Sequence, residues 1–208
     1  MVARLACLSV GYLCGSMLTA EVVARRVAGR SIFEMGDGNP GMANVGHELG
    51  TPAALACLAG DILKTLVPVL VMSGMFPQLG WQASTAWTGL GATVGHIYPF
   101  WHDLRGGKGV ATIASTVVLM KPALGALAGV VGVVTIICSG YLSVAAVAAI
   151  CAYALAAPFV LPWDCAAVSI AFVVLTCVAH GSKLRGIRTG TTRRASLSTK
   201  FWAKMRGR

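Results

Sequence analysis

The sequence predicts an all-α integral membrane protein with about seven transmembrane helices, its N-terminus outside and its C-terminus in the cytoplasm. Three observations predict it. Of 208 residues, 56% are hydrophobic and 12% charged, against roughly 45–50% apolar and about 25% charged in soluble domains. The mean hydropathy is +0.75. The charge is also unevenly placed: of the net +10, residues 181–208 hold nine Lys/Arg and no acid, while residues 1–180 hold eight Lys/Arg against seven Asp/Glu. A near-neutral apolar body with a basic tail excludes a soluble enzyme and a disordered chain. It also removes the nucleic-acid reading that the net charge alone would suggest.

A spanning helix needs about 20 mostly apolar residues, fewer beside a re-entrant or water-lined region. Crossings are expected at roughly 4–24, 52–76, 79–99, 109–120, 122–138, 141–160 and 164–180. The first carries one charge, Arg4, and no clear small-residue cleavage site before Glu21, so it is expected to remain as a helix. The fourth is short, and Lys121-Pro122 separates it from the fifth because proline disfavours a continuing helix. Basic residues favour the cytoplasmic side of a membrane. With the N-terminus outside, 25–51, 100–108 and 181–208 are cytoplasmic and hold fourteen Lys/Arg, leaving Arg4 and Lys121 outside. Residues 1–180 are therefore expected to form one membrane-embedded domain and 181–208 a basic cytoplasmic tail.

In that tail Leu197, Phe201 and Met205 recur at i+4 with Trp202 beside them, and Lys200, Lys204 and Arg208 run along another stripe. The pattern fits an interfacial helix at 196–206 on anionic lipid, or equally a solvated tail. The seven Cys lie mainly in apolar runs without a CxxC or Cys/His pairing, which reads as packing. Scattered glycines such as Gly89, Gly91, Gly125 and Gly132 suit close helix contact in lipid.

Two cytoplasmic glycine clusters carry the chemistry. Gly36-Asp37-Gly38-Asn39-Pro40-Gly41-Met42-Ala43-Asn44-Val45 is too rich in glycine and proline for regular helix. It reads as either an ordinary tight turn or a concave nest of amides for an anion, with Asn39 and Asn44 donating to a ligand or fixing the loop's own carbonyls. No GK[ST] follows, so it is not a Walker loop. The second cluster runs from Gly95-His96 through Arg105-Gly106-Gly107-Lys108-Gly109 to Thr112. It sets two cations and flexible backbone before a helix whose first amides face the same spot. Arg105 and Lys108 as plain positive-inside anchors would explain the charges, but not three glycines among them.

Ser16, Glu21 and Arg25 lie along the first crossing, and Ser16 and Arg25 share a face only approximately. Asp61 and Lys64, at i and i+3 in the second crossing, read first as a structural ion pair and secondly as a functional one. Ser143 opens the sixth crossing and His180 closes the seventh. Together these residues describe a cytoplasm-facing bowl for a phosphate-bearing substrate, open to lipid for an acyl chain.

Gly15-Ser16 with Arg25, GDGNPGMANV at 36–45 and GHIYPFWHDLRGGKGVAT at 95–112 resemble three signature blocks of one family. It is the bacterial acyl-phosphate-dependent glycerol-3-phosphate acyltransferase family (PlsY type), with Asp61 and Lys64 matching a DxxK. The resemblance runs from about residue 11 to about 190. It implies a monomeric, cofactor- and metal-free, seven-helix enzyme of the bacterial plasma membrane, its active site facing the cytoplasm. The enzyme would move an acyl group from acyl phosphate to the 1-hydroxyl of glycerol 3-phosphate, giving lysophosphatidic acid and phosphate.

The resemblance makes Lys108, Arg25, Ser16 and His96 the expected catalytic residues. Gly38, Asn39, Gly41, Asn44, Arg105, Gly106, Gly107, Ser143 and His180 are the expected binders of substrate and phosphate. In keeping with it, none of His47, His96, His102 and His180 has Asp five positions later, the spacing common in acyltransferases with soluble donors. The chain departs from the pattern at Leu18, where proline is usual, and at His47, Gly140 and Gly186, where arginine is usual. Gly181 and Lys183 replace a usual Arg and Asn. The missing cations are expected to weaken glycerol-3-phosphate binding or to signal another phosphorylated acceptor, unless Lys183, Arg185 and Arg188 compensate. A non-catalytic paralogue and a phosphate-binding transporter are the competing classes.

Overall fold

A computed structural model describes residues 1–205 and 207, without the side chains of residues 196, 197 and 200. The tail positions Leu197, Lys200 and Arg208 named above therefore lie, as side chains, outside the described residues. All regular structure among the described residues is helical. The chain divides into two compact units, Met1–Met120 and Lys121–Arg208.

In the first unit α1 (Val2–Gly15), α2 (Thr19–Ala28), α3 (Met42–Leu49), α4 (Thr51–Met75), α5 (Gly80–Ile97) and α6 (Val110–Met120) follow in order. The central helix is α5, packed on α1, α4 and α6. Helices meet closely in an apolar setting where small residues let backbones approach, and two Gly-x-x-x-Gly pairs do this from opposite sides. A Cβ at Gly11 or Gly15 would overlap backbone of Thr88 or Ala92, and one at Gly91 or Gly95 would overlap backbone of Leu8 or Tyr12. The expected packing role of Gly91 is thus met, and Gly89 likewise lies against Thr116. Gly91→Leu is expected to destabilise the protein by about 3 kcal/mol, because a backbone carbonyl cannot rotate out of the way. A midpoint of thermal unfolding within about 2 °C of wild type would show instead that α1 slides without cost.

The first crossing, expected unbroken over 4–24, is interrupted at Ser16-Met17-Leu18, where Leu18 is extended (φ −87°, ψ 98°). No proline causes the break. The Met17 carbonyl accepts a hydrogen bond from Lys64 Nζ at 2.9 Å, which satisfies a group that would otherwise be buried unpaired. Ser16 and Arg25 therefore do not share one helix face. The reading of 36–45 as wholly non-helical is also corrected: Met42–Val45 form the first turn of α3, with extended Gly41 as its N-cap.

The second unit is an α7 (Pro122–Ser139), α8 (Leu142–Val160), α9 (Trp163–Arg188) series, with α8 packed on both neighbours. Tyr153 and Phe172 are among its fully buried side chains. The split at Lys121-Pro122 is present: Lys121 is extended and Pro122 opens α7, the position where proline's missing N–H costs nothing. The expected end of the seventh crossing at His180 is not a helix end, since α9 runs on to Arg188. A fourth helix, α10 (Ser196–Met205), packs on α7. Ser198 Oγ and Trp202 Nε1 both donate to the Ile137 carbonyl, at 3.1 and 3.0 Å, and the Ala195 amide donates to the Gly140 carbonyl at 2.8 Å. The last carbonyls of a helix lack partners within it, and here the tail supplies them.

Each of the seven expected segments is helical. Five are long and apolar enough to cross a membrane by length and composition: Val2–Ala28, Thr51–Met75, Pro122–Ser139, Leu142–Val160 and Trp163–Arg188. The eleven residues of α6 rise only about 16 Å, roughly half the hydrocarbon thickness. Ser84, Thr85, Thr88 and Thr93 of α5 are all fully buried.

Candidate functional site

The first glycine loop is fastened from within. Gly36 and Gly38 take positive φ (56° and 69°), a conformation glycine adopts without strain. Buried Asn44 donates from Nδ2 to the Met35 carbonyl at 2.9 Å and accepts the Asp37 amide on Oδ1 at 3.2 Å. Of its two readings, fixing the loop is the one realised. The amides of Gly38, Asn39 and Gly41 donate to Met35 O, Asp37 Oδ1 and Asn39 O. The loop's own amides thus mostly close the loop, and the donors that helix geometry leaves outward are the first two of α3, Met42 and Ala43. Beneath them Ala20, Ala24, Ile32, Met35, Val45, Ala53 and Cys57 form a buried apolar cluster.

Arg25, on α2, is largely exposed and its Nε lies 2.5 Å from Glu21 Oε1. Buried Glu21 also accepts the Ile32 amide at 2.9 Å and Ser31 Oγ at 3.0 Å through Oε2. It joins α2 to the start of the first loop, a role its sequence position did not disclose. Ser16 is fully buried and donates to the Tyr12 carbonyl at 2.7 Å. That is a helix-end hydroxyl bonded back to its own turn.

The second loop leaves α5 at His96-Ile97 and returns at α6. Asp103 and Leu104 are left-handed (φ 52° and 58°), and the Arg105 amide donates to the His102 carbonyl at 2.8 Å. The Gly107 amide donates to the His96 carbonyl at 3.0 Å. A Cβ at Gly106 would overlap the carbonyls of His96 and Ile97, and one at Gly107 would overlap His96 Nε2 and crowd the Pro40 carbonyl. Gly107 is therefore the point at which the two loops touch. Lys108 follows it, half-buried, and Gly109 (φ 73°) turns the chain into α6. Arg105 is exposed.

Under this seam lies a buried polar cluster. Lys64 Nζ is 2.8 Å from Asp61 Oδ1, 2.7 Å from His96 Nδ1 and 2.9 Å from the Met17 carbonyl. Ser16, Arg25, Gly38, Asn39, Gly41, Asn44, His96, Arg105, Gly106, Gly107 and Lys108 all belong to the first unit. Ser143 and His180, both buried, belong to the second, in the first turn of α8 and within α9.

The family model described as glycerol-3-phosphate acyltransferase matches residues 5–190. The chain belongs to this family. It is 35% identical to a glycerol-3-phosphate acyltransferase of Geobacter sulfurreducens over 89% of this chain and 94% of the relative. It is 30% identical to one of Halalkalibacterium halodurans over 86% and 89%. The crystal structure of PlsY, an integral membrane glycerol 3-phosphate acyltransferase, in its glycerol 3-phosphate form, is similar with a TM-score of 0.82 and 28% identity, covering 93% of this chain and 96% of that one. Its lysophosphatidic acid form has the same TM-score and identity. The chain is accordingly a multi-pass membrane protein.

Within the glycerol-3-phosphate acyltransferase family, the departures at 140 and 186 acquire a structural reason. Gly140 ends α7 in the left-handed region (φ 81°), which favours glycine, while a Cβ there would meet Arg194 Cδ at 3.4 Å and Ser198 Oγ at 3.5 Å in ordinary contact. At Gly186 a Cβ would crowd the hydroxyls of Thr191 and Thr192, whose amides donate to the Gly186 carbonyl. At 186 the tail occupies the space that a larger residue would need. It also brings a cation with it, the Arg194 guanidinium lying 5.9 Å from the Tyr141 ring centroid. His47, the third departure, is exposed and sits 2.7 Å from Glu48 Oε1.

Proposed function

We infer that the protein is an acyltransferase that acylates the 1-hydroxyl of glycerol 3-phosphate with an acyl group from acyl phosphate, releasing lysophosphatidic acid and inorganic phosphate. The observation that carries the reading is the seam at Gly107, where the loop bearing Arg105 and Lys108 meets the loop that opens α3, in a chain of this family. The approach of Gly107 to Pro40 joins the loops that lead into α3 and α6, each of which opens with free amides and one of which carries Lys108, a set of groups that suits a phosphate-bearing substrate. In the reaction the glycerol hydroxyl attacks the acyl carbonyl, the acyl–phosphate bond breaks, and the hydroxyl proton passes to the acceptor's own phosphate. Phosphate is already a good leaving group, so positioning and charge stabilisation supply most of the rate. Lys108, Arg25 and the α3 amides are the electrostatic groups. Ser16 forms no acyl-enzyme in this scheme, consistent with its bond to Tyr12.

The deciding assay supplies purified protein in lipid with palmitoyl phosphate and glycerol 3-phosphate, and follows phosphate release and lysophosphatidic acid. Both products are expected, and palmitoyl-CoA is expected to give neither. Product from the CoA ester alone would overturn the donor, and no product from folded protein that still binds phosphate would overturn the acceptor.

The site faces the cytoplasm of a bacterial plasma membrane, the chain crosses it seven times with the N-terminus outside, and the protein acts as a monomer. The charge asymmetry supports this orientation. Gln78→Cys and Gly190→Cys, in a cysteine-free background, test it with an impermeant maleimide: Gln78→Cys should react from outside intact cells and Gly190→Cys should not. The exposed Phe201, Trp202 and Met205 of α10, with Lys204, support an interfacial helix on anionic lipid. Truncation after Gly190 should then reduce activity in anionic vesicles more than in zwitterionic ones. Equal loss in both would return α10 to a purely internal role.

A further inference from the structure

The scheme above gives no work to a carboxylate and an ammonium buried side by side in an apolar helix. The Lys64 and Asp61 side chains are 1% and 4% exposed. Taking both ions out of water generally costs about as much as their attraction returns, so the pair alone is a poor source of stability. Its third partner is more informative. Lys64 Nζ has three polar neighbours within 2.9 Å: Asp61 Oδ1, the Met17 carbonyl oxygen and His96 Nδ1. An ammonium has three N–H bonds and no lone pair. With Asp61 Oδ1 as its ion-pair partner, the ammonium can only donate to His96, and Nδ1 must be the acceptor.

That assignment fixes the ring. An imidazole whose Nδ1 accepts carries its proton on Nε2. Nε2 is the atom that a Cβ at Gly107 would overlap, beside the Pro40 carbonyl. The proton-bearing side of His96 thus faces the seam where the two glycine loops meet, and the lone-pair side is closed by Lys64. Asp61 stands 3.8 Å behind Nδ1 and orients the ammonium. The same ammonium ties down the carbonyl freed by the break between α1 and α2, so one lysine joins that break, α4 and α5.

We propose that Lys64 and Asp61 are positioning residues that hold His96 as a neutral Nε2–H donor aimed at the loop seam, where it gives a hydrogen bond to an anionic oxygen of the bound substrate. His96 is then a fixed donor and not a general base, because its lone pair is turned away from the seam. The nature of the anion rests on the acyltransferase reading. The tautomer and its dependence on Lys64 do not.

The test is nitrogen NMR on protein labelled with 15N-histidine in lipid, the His96 signals being those that vanish in His96→Gln. Wild type should show a protonated Nε2, with its one-bond N–H coupling, and an unprotonated Nδ1. Lys64→Met should turn this into a mixture of tautomers and lower kcat/KM by about 10–100-fold, the scale of a lost charge-assisted hydrogen bond. His96→Gln, whose amide N–H reaches the Nε2 position, should stay within about tenfold of wild type. His96→Asn, which reproduces only the Nδ1 side, should fall about a hundredfold. A proton on Nδ1 in wild type overturns the proposal, as does a Lys64→Met protein with unchanged spectrum and kcat/KM. If Lys64→Met does not fold, the wild-type spectrum decides alone. An inactive wild type with the Nε2–H spectrum would remove the acyltransferase reading and support the relay.

Discussion

Lys108→Ala is expected to lower kcat with palmitoyl phosphate by about 10²–10³-fold, the usual consequence of removing one preorganised donor from developing negative charge. The side chain is half-buried and leaves the backbone between Gly107, pinned to the His96 carbonyl, and Gly109, which turns the chain into α6. The lysine thus sits on a fixed backbone two residues before α6 begins at Val110. Lys108→Arg should therefore recover part of the rate, keeping the charge while its planar fork misplaces it. The thermal midpoint is to be measured beside the rate in both variants, so that a loss of fold is told apart from a loss of charge. An alanine variant within about tenfold of wild-type kcat would shift the electrostatic role to Arg25 and Arg105.

Periodicity and proline placed the helices well, and the site less completely. The Lys121-Pro122 split was legible because proline disfavours the helical conformation in the residue before it and Pro122 could open a new helix. The break at Ser16–Leu18 was not, because the apolar run is continuous there and the partner of the carbonyl it frees is a lysine 47 residues away. His180 was read as a helix end because charge placement reports the membrane boundary, and α9 continues past it to Arg188. The packing of α10 depends on carbonyls at Ile137 and Gly140 that no local pattern announces. In the site, the glycines and cations were legible as a candidate anion site, with an ordinary tight turn still open for the first loop. What each amide does was not, because Asn44 and Asp37 close the first loop from inside. Glu21 was visible only as one acid on an apolar helix, and its role depends on where Ser31 and Ile32 return.

Gly107→Ala should be nearly as damaging as the loss of Lys108, by a different route. Gly107 is not among the positive-φ glycines, so alanine fits its backbone, and the effect must come from one added methyl. That methyl falls on His96 Nε2 and crowds the Pro40 carbonyl. Neither can yield easily: the imidazole is held from behind by Lys64, and Pro40 O is backbone. The 105–109 loop must lift instead, taking Lys108 with it, and a misplacement of about 1 Å costs roughly a hundredfold in rate. Gly74→Ala supplies the comparison, since nothing lies within 4 Å of a Cβ there; its activity and thermal midpoint should equal wild type. The two explanations of a Gly107→Ala defect separate in the Gly107→Ala/His96→Ala double variant. If overlap with the ring is the cause, alanine at 107 should add little further loss once the ring is gone. If the two losses multiply in full, the contact with Pro40 alone sets the height of the loop, and His96 does not support it.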